Sequence, residues 1–377
     1  MRSLLNWFWS PDFWLPPGIN WQDIEPSSDK VLKYPDYKDV VYAIPLAIAF
    51  IAMRYIVQQM FLIPFALWLR VGHPTKISCV NLIPPKTDKE LKNAYEKCKG
   101  KFSHKELEAV SKRTDLEIRE IERWIRLTKS VERRRTKLTK FCECAWRAIC
   151  YTISFSIGIL VLWDKLWLWN VKHCWYDYPH QSVGEDVRFY YLFGGGYYCS
   201  LLITQLFEPK RKDFWEMLLH HLVTILLIAF SWVCNLVRIG TLVLVLHDCV
   251  DIFLESAKVS KYANKEKLAE GIFTIFILLW IVTRLCFYPF YVLHSVIYDA
   301  PSILPTFHAF RMLTGLLIVL QILHVFWTYF ILKIVFNILM KGKTEDARSC
   351  TESPSSDLSN DDHNAMPRGT TISSTDN

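Results

Sequence analysis

Two adjacent histidines, His220 and His221, and a following group of His247, Asp248, Asp251 and Glu255 are the residues of this chain best suited to chemistry. Both groups lie inside apolar stretches long enough to cross a bilayer. An ionisable side chain at a bilayer centre costs roughly 2.5–3.5 kcal/mol, while Leu, Ile or Val returns only about 0.3–0.6 kcal/mol each. Three carboxylates therefore cancel more than ten aliphatic neighbours, and such a segment is tolerable only if its charged side faces protein or a water-filled cavity. A histidine beside a carboxylate can act as a general base, or as a nucleophile whose imidazolium the carboxylate stabilises. No Gly-x-Ser-x-Gly elbow, His-Glu-x-x-His pair or EF-hand spacing occurs. The 11 histidines are mostly isolated, too scattered for the boxes of a membrane di-iron oxygenase, so neither a metal nor another cofactor is expected. Acyl transfer by imidazole is the economical reading, and proton relay in a transporter is its rival.

Helical geometry narrows the site, because residues three, four, seven and eleven apart share a face. On the first stretch Asp213, Glu216, His220, Thr224 and Ser231 form one polar stripe, with His221 turned about 100° away. On the second, Thr241, Asp248, Asp251, Glu255 and Lys258 share a face and His247 sits at its edge. The short connection from Asn235 to Arg238 makes the two an antiparallel pair. His220 is thereby expected near Asp251 and Glu255, with Asp248 deeper, and the carboxylates Asp248 and Asp251 are expected to orient His220 and His221 while His247 assists proton transfer.

The elements that must hold these residues are membrane helices. The chain of 377 residues is 51% hydrophobic, and its apolar residues are bunched into long runs instead of spread at core periodicity. Seven spans of bilayer length follow: Val40 to Leu69, Ala145 to Trp163, Phe189 to Phe207, Met217 to Leu236, Ile239 to Ala257, Ile272 to Leu293, and Leu313 to Leu339. The fold class is all-α, a polytopic membrane protein of about seven transmembrane helices with a small cytosolic helical insert. The net charge of +7 resides in the loops. The segment from Lys76 to Lys140, then Lys210, Arg211 and Lys212, then Lys258, Lys261, Lys265 and Lys267, and finally Lys341 and Lys343 mark the cytosolic side. The N-terminus is then lumenal and the C-terminus cytosolic.

Five segments result: a lumenal aromatic-rich stretch over 1–39, a first span over 40–70, a basic cytosolic region over 71–137, a six-span catalytic region over 138–340, and a cytosolic tail over 341–377. Pro11, Pro16 and Pro17 interrupt the N-terminus, so no cleavable signal is read there, and Trp7, Phe8, Trp9, Phe13 and Trp14 are expected at headgroup depth. The 11 cysteines are scattered and give no disulfide framework. The polar tail has a disordered composition, and Ser349 with Glu352 and Ser359 with Asp362 are candidate acidophilic phosphorylation sites. In the basic region, Ser103 with Glu106 and Thr114 with Glu117 have capping-box spacing. Leu116, Ile121, Trp124 and Ile125 then repeat at helical spacing before the run Arg133 to Arg135, a pattern similar to the last two helices of a homeodomain. Leu127 stands where the base-reading Asn of that fold would be, so nucleic acid is not expected as a partner. A basic face near anionic lipid is the simpler role.

One run carries a specific resemblance: Lys212-Asp213-Phe214 through His220-His221, then Ser231-Trp232, Asn235, Arg238, Gly240-Thr241, His247-Asp248, Asp251, Leu254-Glu255-Ser256-Ala257-Lys258 and Tyr262. It resembles the signature of ceramide synthases, and the spanning region is similar to their TLC domain, with the homeobox-like insert of the animal branch. The chain has no Asn-x-Ser/Thr sequon, a departure from the N-glycan common near that family's N-terminus. The resemblance implies an endoplasmic reticulum N-acyltransferase that joins a fatty acyl-CoA to the amine of sphinganine or sphingosine, with acyl-CoA as co-substrate and no cofactor. It implies membrane lipids and homo- or heterodimers with related synthases as partners. His220 takes the central role, as base or as acyl acceptor. Asp213, Thr224, Ser231, Glu255 and Lys258 are expected to contact substrate, and Lys210, Arg211 and Lys212 with Lys258 to attract the polyanionic CoA head. Chain-length preference is associated in that family with the loop before the last span, here from Tyr298 and Asp299 to His308. The non-enzymatic readings are a membrane lipid sensor or a proton-coupled lipid transporter.

Overall fold

The computed structural model describes residues 7–26, 32–71, 85–98, 100–208 and 213–341. Among the described residues the regular structure is helical throughout, with no strand. Nine main helices are labelled here in chain order: α1 (Tyr37–Trp68), α2 (Pro85–Lys97), α3 (His104–Thr114), α4 (Ile118–Leu162), α5 (Glu185–Phe207), α6 (Phe214–Val233), α7 (Val237–Tyr262), α8 (Glu266–Ile303) and α9 (His308–Lys341).

Five of these, α1, α4, α6, α8 and α9, are long and apolar enough to cross a membrane. Helices also occupy the third and fifth expected stretches, α5 and α7, with 23 and 26 residues, or about 34 and 39 Å at 1.5 Å per residue. Their length suffices for a bilayer core of about 30 Å. Their composition is more polar because they lie inside: α7 packs on α4, α5, α6 and α8, and α5 on α1, α4, α6 and α7. Thr241, His247, Asp248 and Glu255 of α7 are all buried. A helix surrounded by protein can carry groups that lipid would not accept.

α4 has 45 residues, about 68 Å, more than twice a bilayer core. Its first half is charged and its second apolar, so the boundary expected near 137/138 falls inside one unbroken helix. The charged half closes a small three-helix module in which Leu91 of α2, Leu107 and Val110 of α3, and Ile121, Trp124 and Ile125 of α4 form a separate core. Ser103 caps α3 in a full capping box with Glu106, as its spacing predicts. The Ser103 amide and hydroxyl hold the Glu106 carboxyl below its ordinary pKa. The second expected box is displaced. Thr114 instead ends α3 and donates its hydroxyl to the Val110 carbonyl, Asp115 turns into the left-handed region at φ 55°, and Glu117 with Glu120 caps α4.

Proline explains two irregular stretches. α1 widens to π turns over Gln58–Leu62 just before Pro64, and α8 does so over Ile281–Leu293 around Pro289. A proline donates no N–H and crowds the carbonyl four residues back, which a wider turn accommodates. α8 also runs ten residues past the expected end at Leu293. Val296 and Ala300 remain 2% and 0% exposed, so burial carries the helix on to Ile303. Tyr298 and Asp299, expected in a loop, therefore lie in a helical turn. At the N-terminus Trp14 is wholly buried in protein, its ring packs on Phe230 of α6, and its indole donates to the Phe8 carbonyl. Trp7 and Trp9 stay half exposed.

Candidate active site

A narrow cavity runs between α6, α7 and α9. Its walls are almost wholly aliphatic and aromatic, with Leu227 and Ile228 from α6, Val243 and Leu244 from α7, and Leu313, Leu317 and Leu320 from α9. His220 and His247 meet it at the end towards Lys258, and Trp175, Leu236 and Phe310 close the other. Thr224, Ser231, Thr314, Tyr191 and Tyr198 are its remaining hydroxyl-bearing contacts. Of the two expected polar stripes, that of α6 meets the slot through His220, Thr224 and Ser231, whereas α7 brings only His247, the residue at the edge of its stripe.

The two histidines differ in what their ring nitrogens already do. His247 Nδ1 lies 2.7 Å from the Val243 carbonyl, which can only accept, so in the neutral ring Nδ1 carries the proton. His247 Nε2 faces Nε2 of His324, 3.2 Å away on α9, and accepts from it with the Gln321 amide turned to give its NH2 to His324 Nδ1. Both nitrogens of His247 are occupied. His220 Nδ1 has no hydrogen-bond partner, and the ring is held by an edge contact with Trp327 and by His221, at centroid separations of 5.3 and 5.4 Å. Thr224 returns its hydroxyl to the His220 carbonyl at 2.8 Å, fixing the backbone under the ring. His221 is turned away and buried, as the 100° rotation predicts.

The carboxylates depart from expectation. Asp248 is wholly buried and both oxygens are engaged, by the hydroxyl of Ser154 on α4 at 2.6 Å and that of Tyr198 on α5 at 2.7 Å. It ties three helices together and does not orient His220 or His221. The reason is helical phase, since Asp248 lies one residue past His247 and so faces α4 and α5. One turn on, Asp251 lies 3.8 Å from the guanidinium of Arg284, which is 2% exposed and donates to the His247 carbonyl at 2.9 Å. One turn further, Glu255 meets Arg147 of α4 at 3.2 Å and Lys258 at 2.7 Å. The predicted face of α7 is therefore a polar ladder descending from Lys258 to His247.

Among the other expected residues, Asp213 is buried at the start of α6, and Ser231 bonds Tyr191 and the Leu227 carbonyl. Tyr298 is exposed against His294, and Asp299 faces Lys172 at 3.5 Å, so neither lines the cavity. Lys210, Arg211 and Lys212, and likewise Ser349 and Ser359, lie outside the described residues. Among the described residues no group of three His, Cys, Asp or Glu side chains is placed to hold a metal ion. Sequence reasoning had no signal for Ser154, Tyr198 or Trp327. Arg284 and His324 are both buried around His247, and their polar character inside apolar runs was the available clue.

A family model described as the TLC domain matches residues 140–333. The chain is 35% identical to human (Homo sapiens) ceramide synthase 5 over 369 residues, covering 94% of this chain and 92% of the relative. It is 35% identical to ceramide synthase 4 of Mus musculus over 382 residues, covering 99% and 94%. It is 30% identical to the ceramide synthase hyl-2 of Caenorhabditis elegans over 356 residues, covering 91% and 93%.

Proposed function

We propose, because the chain belongs to the TLC-domain family of ceramide synthases and is an acyltransferase of the membrane, that it N-acylates a sphingoid base from fatty acyl-CoA through His220. The observation that carries the reading is the contrast between the rings at the head of the cavity: His247 is fully engaged and His220 is not. In the first step the free lone pair of His220 attacks the thioester carbon. The C–S bond breaks, and the leaving thiolate takes the imidazole proton as CoA-SH. In the second step the neutral amine of sphinganine or sphingosine attacks the acyl-imidazole carbon, the C–N bond to imidazole breaks, and the amine's proton returns to the ring. A slot with one polar end suits two lipids handled in turn.

The long apolar walls support an acyl chain as the occupant, and the polar ladder of α7 supports entry of the thioester from the Lys258 end. That end faces the cytosol by its basic loops. The CoA head would meet Lys258 and the basic run Lys210, Arg211 and Lys212, in an endoplasmic reticulum membrane with the N-terminus lumenal. Membranes bearing the wild type or His220→Ala, supplied with sphinganine and acyl-CoA, test the reading. Ceramide lost in the variant at equal folded protein, together with an acyl adduct on the wild-type peptide carrying His220, is the expected result. Ceramide formation retained by His220→Ala removes the residue from the chemistry. A folded wild type that forms none shifts the reading to a lipid sensor or transporter.

A further inference from the structure

The cavity is closed at the end away from the histidines, and what closes it is rigid. Trp175 is 1% exposed, and its indole N–H donates to the hydroxyl of wholly buried Ser295 at 2.8 Å. Its ring also meets Phe310 edge-on, with centroids 6.0 Å apart. Val296, 2% exposed, completes the floor beside it. A second layer lies against this one: Phe307 packs on Phe310, and Tyr178 stacks on Phe307 and donates to the Cys234 carbonyl at 2.7 Å. Three elements from separate parts of the chain thus hold one indole in one orientation.

From the acyl-transfer reading above, on which this step rests, we infer that Trp175 is the length gauge of the acyl site, the surface against which the terminal methyl of the bound chain stops. The span can be measured on the walls. His220 and Ser231 both line the cavity and lie eleven residues apart on α6, about 16 Å. Phe310 and Leu320 on α9 are ten apart, about 15 Å. An extended hydrocarbon with bonds of about 1.5 Å advances about 1.25 Å per carbon, so such a span holds roughly 13 methylenes. Adding the carbonyl carbon and the short reach past Ser231 to the indole gives a chain of about 14 to 16 carbons. A longer chain has to buckle in a slot without spare width or leave its thioester carbon short of His220, and a misplacement of about 1 Å there already costs about a hundredfold in rate. A shorter chain reaches His220 but leaves apolar wall uncovered, so it loses binding gradually instead of sharply.

The asymmetry gives the test. Membranes bearing the wild type, Trp175→Ala, Trp175→Phe and Val296→Phe receive sphinganine with saturated acyl-CoAs from C12 to C26, and ceramides are quantified by mass spectrometry. The wild type should peak at about C14–C16 and fall steeply above. Trp175→Ala, which removes roughly 5 Å of floor, should move the optimum up by about four carbons at 1.25 Å per carbon. Trp175→Phe should move it by about half as much, and Val296→Phe, which fills the floor, should move it down. Tyr298→Ala, altering an exposed residue, should not move it. If Trp175→Ala fails to fold, the opposite shifts of the other two variants decide. An optimum unmoved in folded Trp175→Phe and Val296→Phe, or moved by Tyr298→Ala instead, overturns the gauge. Should the folded wild type form no ceramide, acyl transfer fails as the function, and the gauge is read from thermal protection by the same acyl-CoA series. A chain-length break in protection that shifts with Trp175→Phe supports it, and protection independent of length overturns it.

Discussion

Removing Glu255 should damage this protein far more than removing its partner Arg147, although the two form one ion pair. Their side chains are 7% and 14% exposed, and 3.2 Å separates Oε2 from Nε. At an effective dielectric of 20, two unit charges at that distance attract by about 5 kcal/mol, against which the desolvation of both must be set. The contact lacks hydrogen-bond geometry, so the attraction is coulombic alone. Lys258 breaks the symmetry, because its ammonium sits 2.7 Å from the other oxygen of Glu255. Glu255→Leu therefore strands a buried guanidinium beside a second cation, at a cost of about 3–4 kcal/mol. Arg147→Met leaves Glu255 paired with Lys258 and replaces the arginine stem with one of similar bulk, costing about 1 kcal/mol. In the double variant the strain of the stranded charge is gone, for a total of about 1–2 kcal/mol and a coupling of about 3 kcal/mol. Reversible unfolding in mixed micelles measures all three. Additivity within about 0.5 kcal/mol, or an Arg147→Met cost equal to that of Glu255→Leu, would refute the argument.

Asp248→Ala should strand the hydroxyls of Ser154 and Tyr198 at about 1–3 kcal/mol each, whereas Asp248→Asn keeps an acceptor for one and a donor for the other and costs about 1 kcal/mol, as thermal unfolding would report. A methyl on Gly196 meets Leu46 Cβ at 2.6 Å, while one on Gly195 finds nothing nearer than 3.6 Å; Gly196→Ala should cost about 1–3 kcal/mol and Gly195→Ala almost nothing in the same measurement. Replacing Lys210, Arg211 and Lys212 together by Gln should raise the KM for acyl-CoA and leave kcat and the KM for sphinganine unchanged in steady-state kinetics, by removing attraction for a polyanion. The Glu106 carboxyl, held below its ordinary pKa by Ser103, stabilises the start of α3 above the unfolded value and loses that contribution as pH falls through the folded one. Hydrogen exchange of the 103–114 segment should therefore show weakened protection, corrected for intrinsic rate, in the acid range, and Glu106→Gln should abolish that dependence.

The helical stretches and the antiparallel succession of α6 and α7 were legible because helix length and the 3.6-residue period act locally, within one helix at a time. Partner choice was not. Asp248 looks from sequence like a carboxylate for His220, one helix away, but its oxygens are claimed by Ser154 and Tyr198, whose positions 94 and 50 residues upstream leave no periodic mark. Arg284 and His324 were visible as polar interruptions of apolar runs, and only the packing of α8 and α9 on α7 separates a buried guanidinium from one that snorkels. Tyr298 and Asp299 illustrate the converse. The expected span ended at Leu293 and left them in a loop, and the burial of Val296 and Ala300 with a π-helical register kept the chain helical.

α4 contains no glycine or proline between Ile118 and Ile157, so the rod that begins in the core of the small basic module is the same rod that carries Ser154 to Asp248. From Trp124 to Ser154 is thirty residues, about 45 Å without a joint. Mechanically the two ends form one lever: a tilt imposed on the module has no hinge in which to dissipate, and the torque is delivered to Arg147 and then to the hydroxyl that clamps α7. Whatever docks on that module grips the handle of the helix against which the polar face of α7 is registered.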